Sequence, residues 1–577
     1  MKTVLVFLAG GFLLAVATPL VGQEPTLEEA DLPRWVEEDL INFFNDPSTI
    51  HFTGRTRIPS TREVLGDVAA LGGPFTIAGQ VDGDLVVVNG DVVFETGGVV
   101  TGDVLIVGGR IYGDDVAQIG GDLRVFDEPL RYVQRGDRIE SAGRPSERGG
   151  FGPDFPWGDV RFTLKSGQNY NRTEGLPIVF GPSFRTAGSN PLRFDLYGIW
   201  RTDSGFATSE EEWGYAVGIE QALGGRNTLF VGGSFFSKVD PIEDWGINNL
   251  EASLASFILH DDYRDYYQRE GWSAFVRFRF PYTPVQIRAE YFHEDHDFMP
   301  VTSPWSIRRN DDPWRNQPLV AEGSTRFLEG SLIIDSRNDP GDPSDGWLIQ
   351  GTVRRGIGGD LAVPAHFLSD EGPPEAVDAV EYDTDFFTGF VDARGYLRIN
   401  PGASLNLRAV AGGALNDVPL PPQFQHALGG VGSLPGHEPF AQDCGARDAS
   451  RAFDHEKNDV ITRHSVFPSY GCDRFALFQA EFRGKLFADW DLGWDDEGDP
   501  WQEDWNWYPE IDFSPTWAAF FNAGKAWNIK GSDQDTMVDL GVGIFFGDLG
   551  VYYAYPLTED ENGDRNGNFF IRLSRRF

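Results

Sequence analysis

Residues 193–200 read RFDLYGIW, and residues 569–577 read FFIRLSRRF. In a strand successive side chains point to opposite sides, so such a stretch carries one aromatic or aliphatic face and one small or polar face. The same alternation returns in GYAVGIEQAL (214–223), NTLFVGGSFF (227–236), WSAFVRFRF (272–280), VQIRAEYF (285–292) and SLNLRAVAGGAL (404–415). Segments of about ten residues with this pattern are the signature of a membrane-spanning β-barrel. Counting back from Phe577 predicts sixteen strands, beginning near 175, 191, 212, 226, 249, 271, 283, 324, 345, 385, 402, 473, 514, 536, 548 and 568. An even count puts both ends of the barrel on the periplasmic side. The longest connections, 296–323, 357–384 and 417–472, then all lie outside, and most inner turns are short, such as Asn400-Pro401. One inner connection, 491–512, is long.

Composition agrees with this class. The 577 residues include 69 Gly, 45 Phe, 16 Trp and only 2 Cys, as suits β-structure with many turns. With 88 Asp and Glu against 48 Lys and Arg, the net charge is −40. That excludes a nucleic-acid partner held by long-range attraction, because phosphates would be repelled.

The chain divides into five parts. Residues 1–23 read as a secretory signal peptide: Lys2, an apolar run from Val4 to Ala17, and Ala15-Val16-Ala17 for cleavage. Past Gln23 there is no apolar run of ~18 residues that could form a transmembrane helix. Residues 24–73 form a leader with one helix, capped by Asp31, with Pro33 near its first position and Trp35, Leu40, Ile41 and Phe44 on one side. Residues 74–126 repeat. Gly83-Asp84, Gly102-Asp103 and Gly121-Asp122 open GDLVVV, GDVLIV and GDLRVF at intervals of 19, with further turns at Gly90, Gly97, Gly98, Gly108, Gly109 and Gly113. Short Val/Ile strands broken by Gly-Asp predict about three coils of a three-sided β-solenoid, with Gly supplying positive φ at the corners and Asp bonding the turn backbone. Residues 127–158 read as a polar linker and 159–577 as the barrel. The predicted class is therefore all-β, a sixteen-stranded antiparallel transmembrane barrel with a small periplasmic solenoid.

The solenoid segment resembles the bactofilin-like polymer-forming repeats. The barrel resembles the bacterial surface antigen family of outer-membrane assembly factors, which includes BamA and TamA. Four segments carry that resemblance. Asn171-Arg172-Thr173-Glu174-Gly175-Leu176 is similar to the entry to the first strand. Asp335, Arg337, Pro340 and Gly346 are similar to the family's D-x-R…P…G turn. Gly429-Gly430-Val431-Gly432-Ser433-Leu434-Pro435-Gly436-His437 is similar to the tip of the sixth loop. Phe520, Asn522 and Gly524 fall on the F-x-D-x-G wall motif. The alternating end with Phe569, Ile571, Leu573 and Phe577 resembles the C-terminal signal read by the barrel-assembly machinery.

The resemblance implies an outer-membrane protein that assists insertion or translocation of proteins or lipids, without nucleotide hydrolysis. Its partners would be outer-membrane lipid, the assembly machinery during biogenesis, and unfolded client chains or a periplasmic partner of the solenoid. Two departures favour a rival, a passive channel or surface barrel that has lost the assembly role. The loop arginine of the family is Pro435 here, and the wall aspartate is Asn522, so both members of a charge pair are gone. Nor do residues 24–157 show the βααββ pattern of POTRA modules. Glu481 then needs another partner, for which Arg447, Arg451 or His437 serve, or it faces lumenal water.

Cys444 and Cys472 share the sixth loop, and in an exported chain they are expected to pair. His293-Glu294-Asp295-His296, and His437, His455 and His464 in the sixth loop, are read as solvated polar groups before a metal site. The 491–512 insert joins nine Asp and Glu to Trp494, Trp501, Trp505 and Trp507. It is read first as an interfacial Trp belt with acidic caps, and alternatively as a site for Ca²⁺, a sugar or a basic partner. No nucleophile elbow or nucleotide fingerprint is present, so neither catalysis nor a cofactor is expected.

Overall fold

The computed structural model describes most of residues 32–576. Outside the described residues lie 1–31, 142–153, 203–212, 224–228, 338–342, 370–374, 446–449, 455–463, 486–514, 560–564, residue 577 and several pieces of one to three residues. The expected signal peptide, Asp31, Pro33, Pro340, Arg447, His455, the 491–512 insert and Phe577 all fall there. No described helix is long and apolar enough to cross a membrane.

Three parallel sheets build the solenoid. One holds five strands, from Ile50–Thr53 to Leu123–Phe126, and the other two hold four each. The coils begin at Ile50, earlier than the Gly-Asp spacing suggested. The additional corner, Gly66-Asp67, stands 17 residues before Gly83-Asp84 and so escapes a 19-residue repeat. Corner aspartates form a ladder between coils: Asp67 accepts the N–H of Asp84 (2.9 Å), Asp84 that of Asp103 (2.8 Å), and Asp103 that of Asp122 (2.8 Å).

The glycines beside those aspartates serve a different purpose from the one expected. Gly97, Gly108 and Gly113 take positive φ, but Gly83, Gly102 and Gly121 do not. What excludes a side chain there is the adjacent coil: a Cβ on Gly102 would lie 2.0 Å from an Asp84 carboxylate oxygen. The same crowding stacks Gly109 on Gly90, where a Cβ would lie 2.1 Å from the Gly90 carbonyl oxygen. Gly109→Ala should therefore cost about 1–3 kcal/mol by overpacking. In the full chain, amide exchange of Val104–Val107 should accelerate; an unchanged rate would show that the coils can spread.

The all-apolar strands Leu85–Val88 and Val104–Val107 are buried on both faces. Leu85, Val87, Val104 and Ile106 fill the solenoid core, while Val86, Val88, Leu105 and Val107 point outward. Helix α1 (Arg34–Asn45) covers that outer face with Val36, Leu40 and Phe44. Burying each such side chain contributes about 1.5–3 kcal/mol. The expected linker also contains structure: Tyr132–Arg135 pairs with Arg138–Ser141, and the Asn45 amide makes paired bonds to the Ile139 backbone (2.8 and 2.9 Å).

The second body is one antiparallel sheet with sixteen main strands: β1 (Gly158–Ser166), β2 (Pro177–Thr186), β3 (Leu192–Arg201), β4 (Trp213–Leu223), β5 (Leu229–Pro241), β6 (Tyr266–Arg279), β7 (Val285–Phe298), β8 (Glu322–Asp335), β9 (Gly346–Val363), β10 (Phe387–Asn400), β11 (Ala403–Ala414), β12 (Arg474–Lys485), β13 (Thr516–Trp527), β14 (Met537–Phe546), β15 (Leu549–Pro556) and β16 (Asn568–Arg572). Two short pieces, Asp154–Phe155 and Val380–Tyr382, extend it.

The number is as expected, but one strand differs. Residues near 249 form a helix, α2 (Asn249–Leu254), started by the Asn248 side chain accepting the Glu251 N–H (2.8 Å). The strand that replaces it in the count is β1. Strands before α2 therefore run opposite to the expected direction, and Asn171–Leu176 lies in the loop after β1 rather than at the entry to the first strand. From β6 onward the sides agree, and the long connections 299–321, 364–386 and 415–473 share one end.

The wall is inside out compared with a water-soluble protein. Along β1, Phe162 and Leu164 are 39% and 56% exposed, while Arg161 and Lys165 are only 6% and 9% exposed. On β14, Leu540, Val542, Ile544 and Phe546 face outward and Asp539 is fully buried. The sheet encloses a common interior, because strands distant in the ladder meet the same loops. Arg408 on β11 donates to the Trp245 carbonyl (3.0 Å), and Arg572 on β16 pairs with Glu251 (2.9 Å); both partners belong to loop 3 (242–265). Beyond the wall, parts of loops 4, 5 and 6 form a small five-stranded sheet.

Candidate functional site

Loop 6 (415–473) folds back into the lumen, and the motif read at its tip makes the contacts. Gly429 and Gly430 adopt φ of 134° and 73°, and Gly430 bridges to Leu434 in a tight turn. The Ser433 hydroxyl accepts the Gly429 N–H (2.8 Å) and donates to the Gly429 carbonyl (3.0 Å), which locks that turn. Leu434 is fully buried with Val410, Leu428, Phe475 and Leu477. Gly524 on β13 faces this cluster: a Cβ there would sit 3.1 Å from Leu428 and 3.2 Å from Leu434. Small residues at these positions let the loop lie directly on the wall.

Polar bonds fix the rest of the tip. The Gln479 amide donates to the Ser433 carbonyl (2.8 Å), and the Gly436 N–H donates to Asp539 (2.9 Å). Asn568 on β16 donates to the Pro435 and Gly436 carbonyls (3.4 and 3.3 Å). His437 sits by the Val538 carbonyl and the Thr558 hydroxyl, not by Glu481. The side chain of Arg451 is not among the described ones.

Glu481 does have partners. They are Arg483, two residues along the same strand, and Arg576, whose Nη1 lies 3.3 Å away. Arg576 comes from beyond the end of β16. Its Nη2 donates to Asn522 Oδ1 (2.7 Å), and its guanidinium stacks 4.0 Å from the centre of the Phe520 ring. Asn522 in turn donates to Asp539. A guanidinium thus reaches the wall motif although Pro435 stands where the loop arginine was expected. It is supplied by the end of the chain. Sequence reasoning missed Arg576 because nothing local signals that the chain turns inward after Arg572.

A second knot ties loops 1, 3 and 4 together (loops 1 and 4 being 167–176 and 299–321). Arg172 is fully buried, with Asp265 at 2.5 Å, Asp262 at 3.2 Å, and the Arg264 carbonyl and Gln317 as further acceptors. Burial alone would lower its pKa, but Asp262 and Asp265 outweigh that and raise it above the ordinary arginine value. Glu174 pairs with Arg201 on β3 (3.2 Å). The residues resembling a strand entry are therefore a loop clamp.

The remaining expected sites are dispersed. Asp335 and Arg337 form a two-bonded pair (2.9 and 2.8 Å) at the turn before Gly346, which takes φ of 101°. Alternation along β7 divides His293-Glu294-Asp295-His296 between two faces. Glu294 and His296 point inward, where Arg269 (2.6 Å) and Gln423 (2.9 Å) engage them. Cys444 and Cys472 are bonded, joining loop 6 to the start of β12. Phe569 and Ile571 are among the most exposed apolar side chains, on the outer face of β16.

The last strand is joined to β15 by five residue pairs, whereas β6 is joined to β5 by thirteen. Among the described residues no ladder connects β1 with β16.

No family model matches the chain, and no curated protein does. Among solved structures it is similar to BamA from Haemophilus ducreyi lacking POTRA domains 1–3, at 12% identity and a TM-score of 0.39, covering 76% of this chain and 80% of that one. It is also similar to CdiB from Acinetobacter baumannii, at 11% identity and a TM-score of 0.30, over 76% of this chain and 61% of the other. For CdiB from Escherichia coli the values are 11% and 0.32, over 77% and 67%.

Proposed function

We propose that the chain is an outer-membrane β-barrel that helps polypeptides, or lipids, to insert into or cross that membrane without nucleotide hydrolysis. The apolar outer wall supports the membrane setting, since a continuous face of this kind is stable only against lipid. The signal peptide read in residues 1–23 supports export, and the solenoid would then stand in the periplasm with the short turns of the barrel.

The observation that carries the assembly reading is the combination at the β16 edge. A five-residue ladder holds β16 to the sheet, no described ladder joins it to β1, and the loop 6 tip braces it from inside. An edge so held is a template on which an incoming strand can pair. The missing POTRA pattern favours the rival reading of a passive channel. Against that rival, loops 3 and 6 lie across the lumen and meet both β11 and β16.

Depletion of the protein, followed by a census of outer-membrane proteins, tests the proposal. Loss of particular barrel proteins is the expected result, and an unchanged census removes the assembly role. A large, steady conductance in planar bilayers, without client crosslinks, would establish the passive channel instead.

A further inference from the structure

The main strands of the sheet end at β1 and β16, and among the described residues no ladder joins those two. The short piece Asp154–Phe155 pairs with Gly158 and Asp159 at the start of β1, and no described strand covers that edge beyond them. Helix α2 in loop 3 reaches both sides of the gap. Ser253 Oγ accepts the N–H of Tyr170, in the loop that follows β1 (3.0 Å). Two residues earlier, Glu251 takes Arg572 Nε on both carboxylate oxygens (2.9 and 3.0 Å). The same carboxylate accepts the N–H of Leu573 (2.7 Å), the first backbone donor beyond β16. A backbone N–H carries a single hydrogen, so that donor is no longer open to a strand.

The helix is itself held in place. Arg264 Nη1 donates to Asn249 Oδ1 (2.7 Å) and Nη2 to the Ile247 carbonyl, while the Arg264 carbonyl accepts from Arg172 and Arg315. The knot of loops 1, 3 and 4 therefore sets the position of α2. Its polarity is also unusual. A helix on a water-soluble protein buries its apolar stripe. Here Glu251, and Ser256 in the π-turn that continues the helix, are buried, whereas Leu250 and Ile258 are 41% and 36% exposed. That is the inversion seen along the wall, and it suits a helix set at an opening in a lipid-facing sheet.

We propose that α2 is the seam's own stopper: it ties the loop after β1 to the end of β16 across the gap, and it must leave before β16 can take an incoming strand. The inference rests on the assembly reading above and adds its regulation, an autoinhibitory contact within the chain. Both ends of the bridge matter, so loosening either should open the β16 edge.

The test uses the purified full-length chain in detergent and a fluorescein-labelled peptide with the sequence of residues 158–166, which is β1 itself, followed by anisotropy. Ser253→Ala removes one end of the bridge and Glu251→Gln the other. Ser253→Ala should bind the peptide about fivefold more tightly than the wild type, and Glu251→Gln about tenfold or more. Cold electrophoretic mobility checks the fold, and Ser253→Ala, the milder change, decides if Glu251→Gln does not assemble. The same peptide carrying Thr163→Pro cannot pair along its length and should bind neither variant. Unchanged affinity in Ser253→Ala overturns the proposal, because α2 then only braces β16. Equal binding of the proline peptide overturns it as well, because the contact is then not strand pairing. Tighter binding by the variants with an unchanged census after depletion keeps the stopper and removes the assembly role. Loss of barrel proteins on depletion with unchanged affinities does the reverse.

Discussion

Glu481→Gln should be among the most damaging single substitutions in this barrel. The carboxylate is fully buried and serves two guanidiniums, Arg483 and Arg576. Removing it leaves two cations side by side in a confined site, and breaking a buried pair in this way costs about 3–5 kcal/mol. Arg576→Gln should cost less, because Glu481 keeps Arg483. The double variant Glu481→Gln/Arg576→Gln should recover part of the loss, a coupling that a double-mutant cycle reads directly. Conversion between the compact and unfolded electrophoretic forms, followed against temperature in detergent, measures all three. A Glu481→Gln protein that converts at the wild-type temperature would show that the end of the chain does not lodge in the lumen.

Arg172→Met should act on the outer loops rather than on the wall. The guanidinium is the shared partner of Asp262 and Asp265 in loop 3 and of Gln317 in loop 4, all of them buried. Without it Asp265 retains Arg315 (2.5 Å), but Asp262 loses its closest cation. Leaving a buried carboxylate without its partner costs about 3–5 kcal/mol. The strands themselves are held by their own ladders, so assembly of the barrel should persist. Loops 3 and 4 should become sensitive to protease added to intact cells. Wild-type resistance in an assembled Arg172→Met protein would rule out the clamp.

Both expectations concern residues whose partners the sequence did not reveal. Arg172 was visible only as part of a motif assigned to a strand entry. Its true setting depends on β1, and GDVRFTLKS (158–166) is a short alternation lying behind a polar, Gly-rich stretch. The false strand near 249 has an equally local cause. LEASLASFIL (250–259) is apolar enough for either period, and the decisive signal is the cap at Asn248. The two errors cancel in the count, which is why the sixth loop and every later strand kept their places. In the solenoid the Gly-Asp corners were legible, but the purpose of their glycines was not, because a clash with the next coil is a contact between residues 17 to 19 apart in sequence.

The sequence by itself determined the all-β class, the alternation of the strands from β6 onward, the Gly-Asp coil repeat and the shared end of the long loops. Each follows from a local period or a local turn, which neighbouring residues enforce without help from the rest of the chain. Only the tertiary structure decided what fills the lumen. Loop 3 crosses to β11 and β16, the loop 6 tip settles on β12–β16, and Arg576 returns to the wall beside Asn522. Those pairings join residues 46 to 321 positions apart, brought together as loops 3 and 6 fold against the inner face of the sheet. Inside that enclosure a charge without a partner costs several kcal/mol, so the partner must be found somewhere along the chain. Nothing in the spacing of residues says where.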